Sequence, residues 1–232
     1  VVGDKPWTPR NGSKARYGEL VSLKWGLAQS NNWISAYLMN KLNPEAFVSL
    51  LNEYGIRNPD IVPSMSLCLG PCDISVGEMV SAYTAFVNHG IRSAPLFVTR
   101  IEDADGSVIT HFQPIMNEVI SDESANKMIT MLKGVVDGGT GSRLRFRYNL
   151  KCEMGGKTGT TNNNSDAWFM GISPRLVVGS WVGGEYRSIH FRTGALGQGS
   201  RTALPICGYF LESLLKDNNF KKYHAKFDEP ND

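Results

Sequence analysis

The stretch MGGKTGTTNNNSDAWFMGISPRLVVGSWV, residues 154–182, decides the fold that this sequence predicts. Its apolar and β-branched residues fall into three runs of strand length, at residues 154–160, 167–172 and 176–182. The segments between the runs read NNNS and SPR, which are typical of turns. Because connections this short join antiparallel neighbours, we predict an antiparallel sheet.

Helical patterns lie on both sides of these strands. Cap signals precede several of them: Ser22, then Asn43 followed by Pro44, then Ser75 three residues before Glu78. The patterns predict helices over residues 20–29, 33–42, 44–54, 79–87, 121–136 and 202–216, and a hairpin of strands 96–101 and 107–112. This mixture predicts an α+β fold in which helices cover an antiparallel sheet.

Composition and charge exclude several classes of protein. The chain has 232 residues, 41% of them hydrophobic, so it is long enough to form a buried core. Lys and Arg number 24 and Asp and Glu 22, a balance that gives no reason to expect a nucleic-acid partner. No apolar run reaches the roughly 18 residues that a membrane-spanning helix needs.

Cysteine and histidine residues give no sign of a metal site. None of the four Cys forms a CxxC pair, and the four His do not cluster with them. We therefore expect no metal and no other cofactor. Cys68 and Cys72 are interpreted as two buried thiols, and a disulfide between them is the alternative.

The triplet Gly156-Lys157-Thr158 matches the end of the phosphate-binding pattern GxxxxGK[ST]. The first glycine of that pattern would be residue 151, which is Lys151. The loop should also open a helix, whereas here a turn and a strand follow. Both mismatches argue against nucleotide binding.

Serine acyl-transfer chemistry makes better use of Lys157-Thr158-Gly159. On an edge strand the ammonium and the hydroxyl would face a carboxylate, and Gly159 would leave the outer face free for a substrate. The N–H of Thr160 would point at a developing oxyanion. A lone KTG triplet is also compatible with an ordinary turn and a solvated lysine.

A second triplet, Ser30-Asn31-Asn32, has the form S-x-N at the end of a predicted helix. A hydroxyl and a carboxamide two residues apart on a turn can converge on one site. The hydroxyl would relay a proton, and the carboxamide would bind a peptide group. Taken alone, Ser-Asn-Asn is also a common way to end a helix.

With both triplets the chain resembles the transpeptidase domain of class A (bifunctional) penicillin-binding proteins. The resemblance lies in several short segments. Before the predicted sheet these are residues 20–32, GEM (77–79), AY (82–83), NHG (88–90), VV (135–136) and GTG (139–141). In the sheet region they are GKTGTTNNN (156–164), Asp166, WF (168–169) and WVG (181–183). The resemblance covers about residues 5–216. It implies that residues 1–216 form a partial transpeptidase domain and that residues 217–232 form a polar C-terminal tail.

The resemblance implies an activity and a location. Members of the family cross-link peptidoglycan stem peptides on the extracytoplasmic face of the bacterial inner membrane. A serine attacks a D-Ala-D-Ala peptide, and the acyl-enzyme passes to an amine; β-lactams mimic the donor peptide. The resemblance therefore implies stem peptides and β-lactams as ligands, and a periplasmic domain whose anchoring segment is absent from this sequence.

The resemblance also implies roles for individual residues. Three catalytic groups are expected: Ser30 passing a proton between the leaving amine and the catalytic lysine, Asn32 holding the substrate amide, and Lys157 supplying positive potential and supporting the proton path. Thr158 and Thr160 are expected to bind the terminal carboxylate on either side of Gly159, and the Thr160 N–H to form half of the oxyanion hole.

The family's third motif, S-x-x-K, carries the nucleophile and normally precedes S-x-N by several tens of residues. None of the residues before Ser30 fits it. The matches at residues 124–127 and 213–216 follow S-x-N and are interpreted as coincidences. We therefore expect the N-terminal part of the domain and its nucleophile to be absent, and this chain alone to be inactive.

Loss of that part should expose an apolar groove, which an upstream segment of the same protein or self-association would cover. Three alternatives remain open at this stage: a β-lactamase or D,D-carboxypeptidase relative, a non-catalytic binding or scaffold module of the same fold, and an unrelated α+β domain. An S-x-x-K motif in the natural upstream sequence would favour an enzyme over a scaffold module.

Overall fold

The computed structural model describes residues 7–12 and 16–228. Its α-helices are α1 (Leu23–Ala28), α2 (Asn32–Leu42), α3 (Pro44–Glu53), α4 (Val76–Val87), α5 (Asp122–Gly138), α6 (Arg143–Phe146), α7 (Gly194–Gly197) and α8 (Ala203–Lys216). Its strands are β1 (Ile91–Ser93), β2 (Arg100–Glu102), β3 (Val108–His111), β4 (Met116–Glu118), β5 (Gly155–Thr160), β6 (Asp166–Ser173) and β7 (Leu176–Gly183). Two 3₁₀ helices cover Met65–Leu69 and Asn218–His224.

The central sheet has the order β5-β6-β7, and both pairs of strands are antiparallel, as predicted. Its register places Lys157 opposite Met170 and Trp168 opposite Trp181. Helix α8 covers one face, where the Ser180 hydroxyl donates to the Ala203 carbonyl at 2.7 Å. Helix α5 packs closely on β5, so that a side chain at Gly155 would collide with the backbone of Leu132. The α+β architecture is therefore confirmed.

The apolar core lies on both faces of this sheet. Phe169 and Leu204 are fully buried in a cluster that α8 forms with β6. Ile129, Leu132 and Ile172 form a second cluster where α5 covers the sheet. A third cluster, which includes Met39, Ile56 and Leu67, lies apart from the sheet among α2, α3 and α4. Burial on both faces fixes the sheet firmly between α5 and α8.

The predicted caps begin the helices as expected. The Ser22 side chain accepts a hydrogen bond from the Trp25 N–H at 3.1 Å, and Asn43 accepts one from Ala46 at 2.8 Å. Ser75 and Glu78 form a complete capping box at the start of α4. Each cap satisfies an N–H group that has no partner inside its helix.

Several boundaries differ from the prediction. Helix α1 begins at Leu23, and Leu20 lies outside it, fully exposed. The predicted hairpin forms, but β2 and β3 cover only three and four residues. A second ribbon, in which β1 pairs with β4, was not predicted; it joins two segments about 25 residues apart that carry no alternating pattern.

Two further regions have details that the sequence left open. Cys68 and Cys72 are free and half-buried, which agrees with the interpretation as two thiols. In the segment that follows α8, the Phe227 N–H donates to Glu153 at 2.9 Å, so part of the polar tail contacts the domain. The domain boundary at residue 216 stays a prediction. None of the helices within the described ranges has the length and apolar character needed to cross a membrane.

Candidate active site

Ser30 lies at the junction of two helices. Its N–H donates to the Leu27 carbonyl at 3.1 Å, which ends α1, and the side chain of Asn31 caps α2 by accepting from Trp33 and Ile34. Between these two helices the Ser30 backbone takes the left-handed conformation, with φ 52°. That conformation is unusual for a residue other than glycine. The turn leaves the Ser30 side chain exposed.

Lys157 reaches Ser30 from strand β5. Its Nζ donates to Ser30 Oγ at 2.8 Å and to the carbonyl of Thr158 at 2.7 Å. The two residues are 127 positions apart in the chain, so this contact exists only because the fold brings α1 and β5 together. The two triplets therefore meet within direct hydrogen-bonding distance.

The surroundings of Lys157 lower the pKa of its ammonium group. The side chain is partly buried, and desolvation of its ammonium lowers the pKa of Lys157 to about 8. Within residues 7–12 and 16–228, no carboxylate forms an ion pair with it. A lysine of this kind can exchange its proton near neutral pH and can supply positive potential to an anionic ligand.

Thr158 and Thr160 are two residues apart on β5, so their side chains lie on one face of the strand. The Thr160 hydroxyl accepts from the Gly199 N–H at 3.0 Å and keeps its own proton for another acceptor. Gly159 between them has a packing role, because a Cβ at this position would lie 3.1 Å from Cβ of Trp168. The two hydroxyl groups thus lie on one side of the triplet.

Asn32 makes its hydrogen bonds elsewhere. Its Nδ2 donates to the Arg10 carbonyl at 2.6 Å, and its backbone N–H donates to Asn11 Oδ1 at 2.7 Å. Among the described residues, neither Ser30 nor Lys157 is its hydrogen-bond partner. The contact of Asn32 with a substrate amide stays a prediction. It would use the side-chain oxygen and the second Nδ2 proton, which the bond to the Arg10 carbonyl does not involve.

Sequence reasoning gave no role to Thr140, which the structure places in the site. Its hydroxyl lies 2.7 Å from that of Thr158, and its N–H donates to the Ala28 carbonyl at 3.0 Å. The sequence indicated only that GTG, residues 139–141, follows the predicted helix 121–136 and resembles the family. No local pattern indicated that this stretch folds back onto β5.

The two downstream S-x-x-K matches are unlike a nucleophile and its base. Lys127 pairs with Glu123 and Lys216 with Glu212, each one turn away on the exposed side of its own helix. Ser124 instead accepts a hydrogen bond from Ser121 at 3.0 Å. These contacts place both lysines on the solvated face of a helix, away from Lys157 and Ser30.

Comparisons with known proteins identify the family of the chain. Residues 2–182 match the sequence model of the penicillin binding protein transpeptidase domain. Penicillin-binding protein 1A of Aquifex aeolicus is 34% identical over 200 residues, which is 86% of this chain and 26% of that protein. The chain thus spans about a quarter of the length of the curated relatives it matches.

Solved structures show the same fold. The 2.6 Å crystal structure of penicillin-binding protein 1A from Haemophilus influenzae superposes with a TM-score of 0.84 at 26% identity, over 94% of this chain and 38% of that one. The PonA1 protein from Mycobacterium tuberculosis, solved in complex with penicillin V, gives 0.75 at 25% identity, over 91% and 60%. The resemblance read from the two triplets is confirmed, and the chain belongs to the transpeptidase domain family of penicillin-binding proteins.

Proposed function

We propose that this chain is the part of a peptidoglycan D,D-transpeptidase domain that carries the S-x-N and KTG motifs, and that the full-length protein cross-links the cell wall. The observation that carries the proposal is the 2.8 Å hydrogen bond from Lys157 Nζ to Ser30 Oγ. It joins an ionisable amine to a hydroxyl at an exposed turn, which is the arrangement that a proton relay requires.

The proposed reaction is acyl transfer to a serine that lies outside this chain. That serine attacks the carbonyl carbon between the two D-Ala residues, and its proton passes through Ser30 to the departing amine of the terminal D-Ala. The amine of a second stem peptide then attacks the ester, and the serine recovers its proton. Splitting the exchange into two steps lowers the barrier of each.

Lys157 and the two threonines act on the donor peptide in this proposal. The Lys157 ammonium attracts the terminal carboxylate and holds the Ser30 hydroxyl in place. Thr158 and Thr160 donate hydrogen bonds to the carboxylate, while the Thr160 N–H and the Asn32 amide bind the reacting carbonyl and the peptide group. β-Lactams carry a comparable carboxylate and acyl group, so we include them among the ligands.

The proposed substrate implies a location and a partner. Stem peptides lie outside the cytoplasmic membrane, so we place residues 1–216 on its outer face, anchored by another part of the protein. The outer side of α8 exposes Ile206, Tyr209 and Phe210 by half or more of their surface. We propose that an upstream segment of the same protein, or a second copy of the chain, covers this apolar face.

The proposal is tested by acylation. In the full-length protein, Ser30→Ala and Lys157→Ala should each slow covalent labelling by a fluorescent penicillin by about 10²- to 10⁴-fold, because the proton relay is lost. Thr130→Val, on the exposed side of α5, is the matched control and should label at the normal rate. Equal labelling of all four proteins would refute the assignment of Ser30 and Lys157.

The 232-residue chain itself should remain unlabelled, because no S-x-x-K motif precedes Ser30 in it and the lysines of the two downstream matches pair with glutamates on their own helices. Intact-mass measurement after incubation with penicillin G would detect a single acyl adduct. Such an adduct on this chain would overturn the proposal that the nucleophile lies outside it. A full-length protein that binds penicillin but never forms the adduct would favour a non-catalytic scaffold instead.

A further inference from the structure

The last residue of α5, Gly138, and the loop that follows it, residues 139–141, contact both halves of the site. On one side Gln29 Nε2 donates to the Gly138 carbonyl at 3.3 Å, and the Thr140 N–H donates to the Ala28 carbonyl at 3.0 Å. On the other side the Thr140 hydroxyl lies 2.7 Å from the Thr158 hydroxyl. Thr140 is therefore bonded both to the end of the helix that leads to Ser30 and to the strand that carries Lys157.

The backbone of this loop, and not the Thr140 side chain, fixes its position. The N–H groups of Gly139 and Gly141 both donate to the Val135 carbonyl, at 3.1 and 2.9 Å. Gly139 approaches α1 so closely that a Cβ there would lie 2.3 Å from the Ala28 carbonyl oxygen. The Thr140 hydroxyl is thus held beside Thr158 by bonds in which it takes no part.

Counting hydrogen bonds indicates what this hydroxyl does. A carboxylate only accepts, so each threonine that binds it must offer its single proton. Thr160 meets that condition because its oxygen accepts from the Gly199 N–H. Thr158 and Thr140 lie 2.7 Å apart and one of the two hydroxyls donates to the other, so Thr158 keeps its proton for the carboxylate only when the Thr140 hydroxyl is the donor of this pair.

We propose that Thr140 is a positioning residue that donates to Thr158 Oγ1 and so directs the Thr158 proton to the ligand carboxylate. The inference rests on the proposed function, since it assumes that Thr158 and Thr160 bind a terminal carboxylate. Thr140 itself does not touch the ligand. Its effect should therefore be confined to recognition of the carboxylate.

The test compares two probes on the 232-residue chain. One is N-acetyl-L-lysyl-D-alanyl-D-alanine, and the other is the same peptide with a C-terminal amide; their dissociation constants are measured by NMR titration. The wild-type chain should bind the acid more tightly. Thr140→Val should weaken binding of the acid by about tenfold, because the Thr158 hydroxyl is then no longer held in the orientation that donates to the carboxylate, and leave binding of the amide unchanged.

Three further variants make the result specific. Thr140→Ser keeps the hydroxyl and should keep the preference for the acid, and Thr130→Val removes a hydroxyl from the same helix region without effect. Thr140→Ala repeats the comparison if valine in this partly buried loop prevents folding, as circular dichroism would show. Loss of preference in the alanine and valine variants, with rescue by serine, would support the role of Thr140.

The contrary outcomes are distinguishable. If the wild type prefers the acid and Thr140→Val and Thr140→Ala prefer it equally, Thr140 has no such role, while the proposed function stands. If these variants bind both probes more weakly by the same factor, the role is structural and the inference is wrong. If the wild type itself shows no preference, the carboxylate site of the proposed function fails, and the inference fails with it.

Discussion

At the scale of single residues, the candidate site contains a lysine, Lys157, whose charged form is destabilised by burial. The Lys157 ammonium has hydrogen-bond acceptors in Ser30 and Thr158 but, among the described residues, no carboxylate as a partner. Desolvation therefore lowers its pKa to about 8, which leaves it largely protonated at neutral pH and able to lose the proton just above it. Both forms would suit the role proposed for Lys157, which is to attract an anion and to support a proton relay.

Direct titration checks this property. NMR of the chain with ¹³C-labelled lysine should show one Lys Cε signal that titrates near pH 8, and this signal should be missing from Lys157→Arg. In Ser30→Ala the signal should still titrate well below the ordinary value for lysine, because burial, not the bond to Ser30, is the cause. A Lys157 signal with a pKa near 10.5 would contradict the desolvated surroundings described above.

At the scale of elements, the glycine at the end of α4 has two constraints. Gly90 has a φ of 87°, and a Cβ there would lie 1.8 Å from the carbonyl oxygen of Ile120. Its own carbonyl accepts from Val119 at 2.9 Å, which joins the end of α4 to the segment that leads into α5. Gly106, in the β2–β3 turn, has nearly the same φ, 84°, but no atom near its Cβ position.

Comparing alanine substitutions at Gly90 and Gly106 separates the cost of backbone strain from the cost of a steric collision. Gly106→Ala should lower the free energy of unfolding by about 1 kcal/mol, the cost of a left-handed alanine. Gly90→Ala should lower it by about 3 kcal/mol or more, because backbone atoms must also move apart. Urea unfolding of both variants measures the difference. Equal losses would mean that the α4 end can shift without cost.

Elements with local signals were predictable, and elements with distant partners were not. The caps at Ser22, Asn43 and Ser75 were read correctly because every atom involved lies within four residues. The β1–β4 ribbon was missed because its three-residue strands have no pattern of their own. Thr140 was missed for the same reason: its partner is 18 residues away, across a loop that only the folded chain brings close to β5.

At the scale of the whole molecule, α5 sets the spacing of the site. It packs against α1 on one side and against β5 on the other. Small residues make both contacts close: a Cβ at Gly134 would lie 3.0 Å from the Lys24 side chain, and one at Gly155 would lie 2.9 Å from Leu132. The distance from Ser30 to Lys157 is thus a property of this three-layer packing, which neither triplet contains.

The charge of Lys157 should make the stability of the whole chain depend on pH. The folded pKa is below the unfolded one, so between about pH 8 and 10.5 the unfolded chain binds more protons and stability rises with pH. Lys157→Met should therefore be more stable than the wild type at pH 7, by about 2 kcal/mol, and the gap should shrink toward pH 10.5. Urea unfolding of the wild type and of Lys157→Met at pH 7 and at pH 10.5 measures this difference in the free energy of unfolding.

The control for this experiment is Lys127→Met, which removes an exposed lysine on α5. It should change the free energy of unfolding by less than about 0.5 kcal/mol at pH 7. If Lys157→Met lowers stability at pH 7, its hydrogen bonds to Ser30 and Thr158 outweigh the desolvation of the ammonium, and the predicted sign is wrong.

The apolar side of α8 gives a second prediction at this scale. If a second copy of the chain covers Ile206, Tyr209 and Phe210, light scattering should show dimers at high concentration, and Ile206→Glu should restore the monomer. Glu212→Lys, on the same helix outside the apolar row, is the control and should leave the dimer intact. A wild type that stays monomeric would exclude the second copy and leave the upstream segment as the occupant.

The turn at Ser30 has a consequence for engineering this domain. A φ of 52° is one that glycine adopts freely and serine adopts at a cost, so the backbone there favours glycine while the proposed chemistry needs a hydroxyl. A screen that rewards heat tolerance alone would therefore enrich glycine at this position. The selected variants would be more stable but would lack the hydroxyl that the proposed proton relay needs. Stability engineering of the domain should therefore leave Ser30 unchanged.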